Sequence, residues 1–243
     1  MIKKTLKTSE FNHFETLADE WWDPNGKFKI LHLLTPIRIK YIKNKLFEKK
    51  QLIKFSKKSL ANFNILDLGC GGGLLSEPMA RLGAKVTGLD ASKSNIRIAQ
   101  LHALKNKLKI NYIHGSIEKT NFKTPFDVIL NMEIIEHVNN VDLFIKSCRK
   151  NIKNSGVMFV ATLNRTLKSY FFAIIGAEYV LRWLPIGTHD WNKFITPNEL
   201  NEVANKNKFK NIKTSGVVFN PLTNKWSLNR DQNVNYISVF SSN

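Results

Sequence analysis

The chain is short of several things, and each shortage excludes a class of protein. It has two cysteines in 243 residues, Cys70 and Cys148. That is too few for a disulfide framework and gives no zinc spacing, so a reducing cytoplasm is the natural compartment. No run approaches the roughly 18–20 uncharged apolar residues that a membrane-spanning helix needs. The opening Met1-Ile-Lys-Lys-Thr-Leu-Lys carries basic residues with no apolar stretch behind them, which predicts no secretory signal. With 12 Gly and 7 Pro the composition is neither collagenous nor low in complexity, and no repeat is visible. Arginine is scarce: the formal charge is +18, but only 7 of the 37 basic residues are Arg against 30 Lys, alongside 27 Asn. Sites that read phosphates and bases lean on the planar fork of Arg. These lysines are also scattered, without interleaved aromatics. A solvated basic surface is expected, with no nucleic-acid partner. What is present, 43 % hydrophobic and 23 % charged residues, supports one sizeable core.

Residues 1–60 read as a helical, polar-rich extension. Phe14, Leu17, Ala18, Trp21 and Trp22 recur at helical spacing and stop at the turn Asp23-Pro-Asn-Gly26. A second helix is expected to start after Thr35, with Pro36 at its first position. From residue 61 to 164, apolar strands alternate with helices. The strands are Ile65–Leu68, Lys85–Leu89, Ile110–His114, Asp127–Asn131 and Val157–Thr162; the helices are Leu74–Leu82, Ser94–Lys105 and Val141–Asn151. Such alternation implies right-handed crossovers and a parallel sheet covered on both faces. Residues 196–243 add a helix and two strands, Val217–Asn220 and Val234–Phe240, with no helix between them, which predicts an antiparallel edge. The expectation is one α/β domain with a mostly parallel, seven-stranded Rossmann-like sheet.

The most informative segment is Ile65-Leu-Asp67-Leu-Gly69-Cys-Gly71-Gly72-Gly73. A strand runs into a glycine loop that opens a helix, which lets backbone approach a ligand and aims N–H groups at it. The next strand ends in Asp90, about twenty residues on, where this class of fold grips a ribose diol. A P-loop is excluded because no Gly-Lys-Ser/Thr follows. The Gly-x-Gly-x-x-Gly dinucleotide pattern is not met either. Asp67 before the glycines would repel a pyrophosphate yet suits a cationic amino-acid ligand, which favours S-adenosylmethionine.

At this point the chain resembles the class I S-adenosylmethionine-dependent methyltransferases. More closely, it resembles the ubiquinone-biosynthesis O-methyltransferases. The carrying motifs are Phe14-Glu-x-Leu-Ala-x-x-Trp21-Trp22-Asp23, Leu31-His-x-Leu-x-Pro36-x-Arg38, Met132-Glu133-x-x-Glu136-His137-Val138, Thr162-Leu-Asn164-Arg165 and Gly187-Thr-His189-Asp190, running across nearly the whole chain. The resemblance implies methylation of phenolic hydroxyls on polyprenylated rings at two steps of ubiquinone synthesis; other enzymes of that synthesis are expected as partners. It implies cofactor contacts at Arg38, Gly69, Asp90 and Met132, with Ser116 beside the adenine; Asp67 and Gly71 belong to the loop motif.

Methyl transfer needs an anionic oxygen aligned with the sulfonium carbon. A phenol near pKa 10 is mostly neutral at pH 7, so a base or a metal is required. In Glu133-Ile-Ile-Glu136-His137 the spacing i, i+3, i+4 would set all three polar side chains on one face of a helix. Two roles compete: His137 accepts the proton, or Glu133, Glu136 and His137 hold Mg²⁺, which the resemblance supports. An insert at 165–195 is expected to form a substrate lid. Its aromatic stretch 167–184 is suited to an anionic membrane surface, placing the protein in the cytoplasm at the inner face of the membrane. The alternatives are methylation of another substrate class, such as RNA, and a non-catalytic cofactor-binding scaffold.

Overall fold

The computed structural model describes residues 20–50, 59–171, 190–220, 223 and 225–242. Five strands, β1 (Asn64–Leu68), β2 (Lys85–Asp90), β3 (Asn111–His114), β4 (Phe126–Met132) and β5 (Ile152–Leu163), pair in parallel in the order β3-β2-β1-β4-β5. Three more, β6 (Phe209–Asn220), β7 (Lys225–Asn229) and β8 (Asn235–Ser242), extend the sheet antiparallel in the order β5-β8-β6-β7. The sheet therefore has eight strands where seven were expected. The added one is β7, whose alternating exposed and half-buried residues make it an outer edge.

The helices are α1 (Lys29–Lys50), α2 (Ser76–Arg81), α3 (Lys93–Lys105), α4 (Val141–Asn151) and α5 (Pro197–Lys206). One face of the sheet is covered by Leu34, Tyr41, Ile42 and Leu46 of α1 with Met79 of α2. Phe144, Ile145 and Cys148 of α4 and Leu200 and Ala204 of α5 cover the other. β1 and β4 are buried on both faces, which is why they read as near-continuous apolar runs. Among the described residues no helix is long and apolar enough to cross a membrane.

The start expected at Pro36 is corrected: α1 begins at Lys29 and Pro36 lies inside it. Proline removes the bond its N–H would have given the preceding turn. The helix continues because its later residues are held by the core, Ile42 and Leu46 being at most 1 % exposed. That continuity carries Arg38, itself buried, to the ends of the strands. The helix foreseen over residues 14–22 falls mostly outside the described residues, of which 20–22 are helical.

Candidate functional site

All five parallel strands release their loops at one end of the sheet, and the candidate residues gather there, as ligand-binding groups do in open α/β sheets. The loop after β1 takes left-handed backbone at Gly69 (φ +65°), Gly71 (φ +52°) and Gly73 (φ +92°). A side chain is strained at each, so glycine is required by the backbone itself. The Gly69 N–H donates to the Leu89 carbonyl at 2.8 Å, tying the loop to β2. Cys70 is buried and its thiol is pushed up by burial and by the Asp67 and Asp90 charges, which suits a small spacer and not a nucleophile.

Asp90, half-buried at the end of β2, binds the loop as well as facing the site. One oxygen accepts the Gly71 N–H at 2.9 Å, and the other accepts the Ser92 N–H at 2.8 Å and the Asn95 amide at 3.3 Å. A carboxylate has about four lone-pair positions, so capacity for a diol remains. β3 ends level with it, Asp90 opposite His114, and the turn that follows sets half-buried Ser116 at the same edge. Met132, the last residue of β4, is 9 % exposed. The glycine cradle and the Asp90 acceptor fit an S-adenosyl nucleoside.

Asp67 does not stand open to a ligand as its place before the glycines suggested. It is buried beneath the loop, accepts the Ser76 hydroxyl at 2.6 Å, and has its pKa raised to about 7. Burial is the main cause; Asp90 adds to it, and the Ser76 bond and Arg38 oppose it. The folded protein thus binds a proton on Asp67 that the unfolded chain, with an ordinary carboxylate near 3.8, has lost. Stability should therefore fall as pH rises from about 4 to about 7, by up to about 4 kcal/mol for a fully desolvated carboxylate. Asp67→Asn, which still accepts from Ser76, should flatten much of that slope in denaturant melts at pH 5 and pH 8. An unchanged slope would contradict this account of the burial.

At the end of β4 the single helical face expected for Glu133, Glu136 and His137 is corrected. Glu133 has left-handed backbone (φ +54°), with its N–H held by the Ala161 carbonyl at 2.9 Å. Only Ile135–His137 forms a single 3₁₀ turn. The reversal divides the trio: Glu136 points inward at 3 % exposure, while His137 is exposed. Glu133 is ion-paired with Arg38 of α1, 95 residues away in sequence. Glu136 accepts the Thr162 hydroxyl at 2.8 Å, and its Oε1 has no hydrogen-bond partner among the described residues. Burial, reinforced by the Glu133 charge, raises its pKa.

No group of three potential metal-holding side chains occurs among the described residues. The part of the metal expectation that fits is the carboxylate pair. Two hard oxygen donors lie side by side with one buried oxygen unpartnered, and Mg²⁺ is commonly held by one or two carboxylates plus water and substrate. His137 is not gathered with them as a third ligand. Thr162 stands in the sequence only as part of a motif, with no role at the site; the signal for one is a hydroxyl residue ending the apolar run Val157–Thr162. His189 lies outside the described residues, and Asp190 is exposed, capping a 3₁₀ turn through the Asn192 N–H at 3.1 Å.

Comparison with known proteins gives three results. Residues 66–160 match the methyltransferase domain family. The chain is 56 % identical over 239 residues to the ubiquinone biosynthesis O-methyltransferase of Pelagibacter ubique (strain HTCC1062), covering 98 % of this chain and 99 % of that one. It is 50 % identical over 241 residues to the protein of that name from Bartonella bacilliformis, covering 98 % and 97 %. Among solved structures, magnesium protoporphyrin IX methyltransferase from Synechocystis PCC 6803 with bound SAH superposes with TM-score 0.65 at 14 % identity, over 97 % of this chain and 95 % of that one. An S-adenosylmethionine-dependent methyltransferase from Clostridium acetobutylicum ATCC 824 gives TM-score 0.60 at 13 % identity, over 96 % and 98 %. The last two are likenesses of fold.

Proposed function

The chain belongs to the ubiquinone biosynthesis O-methyltransferase family and is an S-adenosylmethionine-dependent O-methyltransferase; we propose that it methylates phenolic hydroxyls of polyprenylated ubiquinone precursors at two steps. The observation that carries the reading is one of adjacency. β1 and β4 are neighbouring parallel strands, so the glycine loop after one and the Glu133–His137 turn after the other open side by side.

In this reading the cofactor lies along the loop at Gly69 and Gly71, with its ribose on Asp90, its adenine by Ser116 and its sulfonium end between the glycine loop and the Met132 and Arg38 side of the opening. Asp67 supports the loop from beneath. Bound there, S-adenosylmethionine supplies an electrophilic methyl carbon with a neutral thioether leaving group. The chain's task is to bring an oxygen nucleophile into line and remove its proton. His137, exposed at the edge of the turn, is the proton acceptor. Glu136 holds the floor of the turn through Thr162, and Arg38 fixes the Glu133 carboxylate toward the substrate. A divalent ion held by Glu133 and Glu136 would lower the pKa of a catechol oxygen.

We place residues 165–195 as the lid over this opening and as the contact with an anionic membrane surface, where the substrate resides and other enzymes of the synthesis would meet it. Leu167, Tyr170 and Phe171, at its near end, are exposed; residues 172–189 lie outside the described residues. Binding to anionic liposomes should occur in flotation and weaken with salt. Phe171→Glu with Trp183→Glu should impair flotation while methylation of a short-chain soluble catechol continues. Equal flotation of wild type and double variant would remove this segment as the membrane contact.

A further inference from the structure

The N-terminal residues Trp21 and Trp22 close over the cofactor loop in a way the reaction above does not use. A Cβ placed on Gly71 would fall 2.5 Å from the Trp21 ring, and one on Gly72 would fall 2.7 Å from it. The indole therefore rests on bare backbone, and the two glycines are its seat. The Gly71 N–H also donates to Asp90 at 2.9 Å, so Trp21 and the carboxylate read as the ribose acceptor meet at the same residue.

Several contacts hold the indole there. Its ring stacks on Phe28 with centroids 3.7 Å apart and planes 13° apart, and its carbonyl accepts from His32 Nε2 at 2.9 Å. The neighbouring Trp22 indole donates to the Gly72 carbonyl at 3.2 Å. Its ring stacks on His102 of α3 at 3.6 Å, and His102 is bound in turn to buried Glu77 of α2 at 2.6 Å. Seventeen residues beyond Trp21 the same segment delivers Arg38 to Glu133. The segment is a strap crossing the site from the glycine loop to the end of β4.

We propose that Trp21 is a cofactor-contacting residue: its indole forms an aromatic wall at the glycine loop for the cationic sulfonium end of S-adenosylmethionine, and Trp22 holds it in place. An indole face attracts a cation electrostatically yet carries no charge of its own. Such a wall stabilises the sulfonium without donating to it or competing for its methyl group. After transfer the sulfur is a neutral thioether, and that attraction lapses. The wall thus favours substrate cofactor over product cofactor, which the glycine loop and Asp90 alone, contacting parts common to both, do not.

The proposal rests on the cofactor assignment of the loop, and the test keeps the two apart. Affinities of the full-length protein for S-adenosylmethionine and S-adenosylhomocysteine are measured by calorimetric titration in wild type, Trp21→Leu and Trp21→Phe, with thermal melts as the folding check. Trp21→Leu, which keeps an apolar side chain at the seat without an aromatic face, should lower the ratio of the two affinities by about tenfold, and Trp21→Phe by about threefold. If Trp21→Leu fails to fold, the Phe variant still carries the test. Equal losses for both ligands, or none, would show plain packing and overturn the proposal. Wild type binding neither ligand would overturn the cofactor assignment itself.

Discussion

His137→Ala should lower turnover on a catechol substrate by about 10²–10⁴-fold, the usual contribution of a positioned general base, with cofactor affinity nearly unchanged. The separation follows from place. His137 ends the turn after β4, whereas Gly69, Gly71 and Asp90, proposed to hold most of the cofactor, lie at the ends of β1 and β2. Glu136→Gln keeps the Thr162 contact, because the amide oxygen still accepts a hydrogen bond, so it should lower turnover if the carboxylate pair holds an ion and leave it nearly unchanged if Glu136 acts only through Thr162. The same substitution removes the charge that burial penalises, so the variant should be no less stable in melts above pH 7. Chelation separates the two roles open at this site. If Glu133 and Glu136 hold an essential ion, exhaustive chelation abolishes wild-type activity and Mg²⁺ restores it. Full activity after chelation leaves His137 as the sole activator. Wild-type turnover in His137→Ala would remove it from the mechanism.

The largest effect on cofactor binding is expected at Asp90. Losing a charge-assisted hydrogen bond costs roughly 1.5–3 kcal/mol, so Asp90→Ala should bind S-adenosylmethionine at least about tenfold more weakly. The structure adds a second route to the same loss, since the carboxylate also accepts the Gly71 and Ser92 N–H groups. Removing it loosens the loop as well as the diol grip. Asp90→Asn keeps an acceptor oxygen for the loop but loses the charge, so its affinity should lie between wild type and Asp90→Ala. Wild-type affinity in Asp90→Ala, by calorimetric titration, would contradict the assignment.

How much of this was legible in the sequence depended on the range of the interactions. The strand, glycine loop and helix from Ile65 onward, and Asp90 at the end of the next strand, are set by neighbours in sequence. They were readable because left-handed backbone selects glycine and a buried parallel strand selects apolar runs. The Glu133–His137 turn was misread because its shape is imposed from afar. The Ala161 carbonyl holds the Glu133 N–H, Arg38 takes its carboxylate, and Thr162 draws Glu136 inward. No local pattern carries those three partners. β7 escaped for a different reason: Lys-Trp-Ser-Leu-Asn is a short edge strand with exposed polar residues, easily read as loop. Local preference puts Pro36 at a helix start, and the packing of α1 overrides it.

The central claim, cofactor-dependent methylation of a phenolic oxygen, is tested most directly by incubating the purified protein with methyl-labelled S-adenosylmethionine and a short-chain prenylated catechol. The account predicts label in an aryl methyl ether, with one S-adenosylhomocysteine formed for each ether. Label on a ring carbon, or no transfer by a protein that binds both compounds, would contradict it.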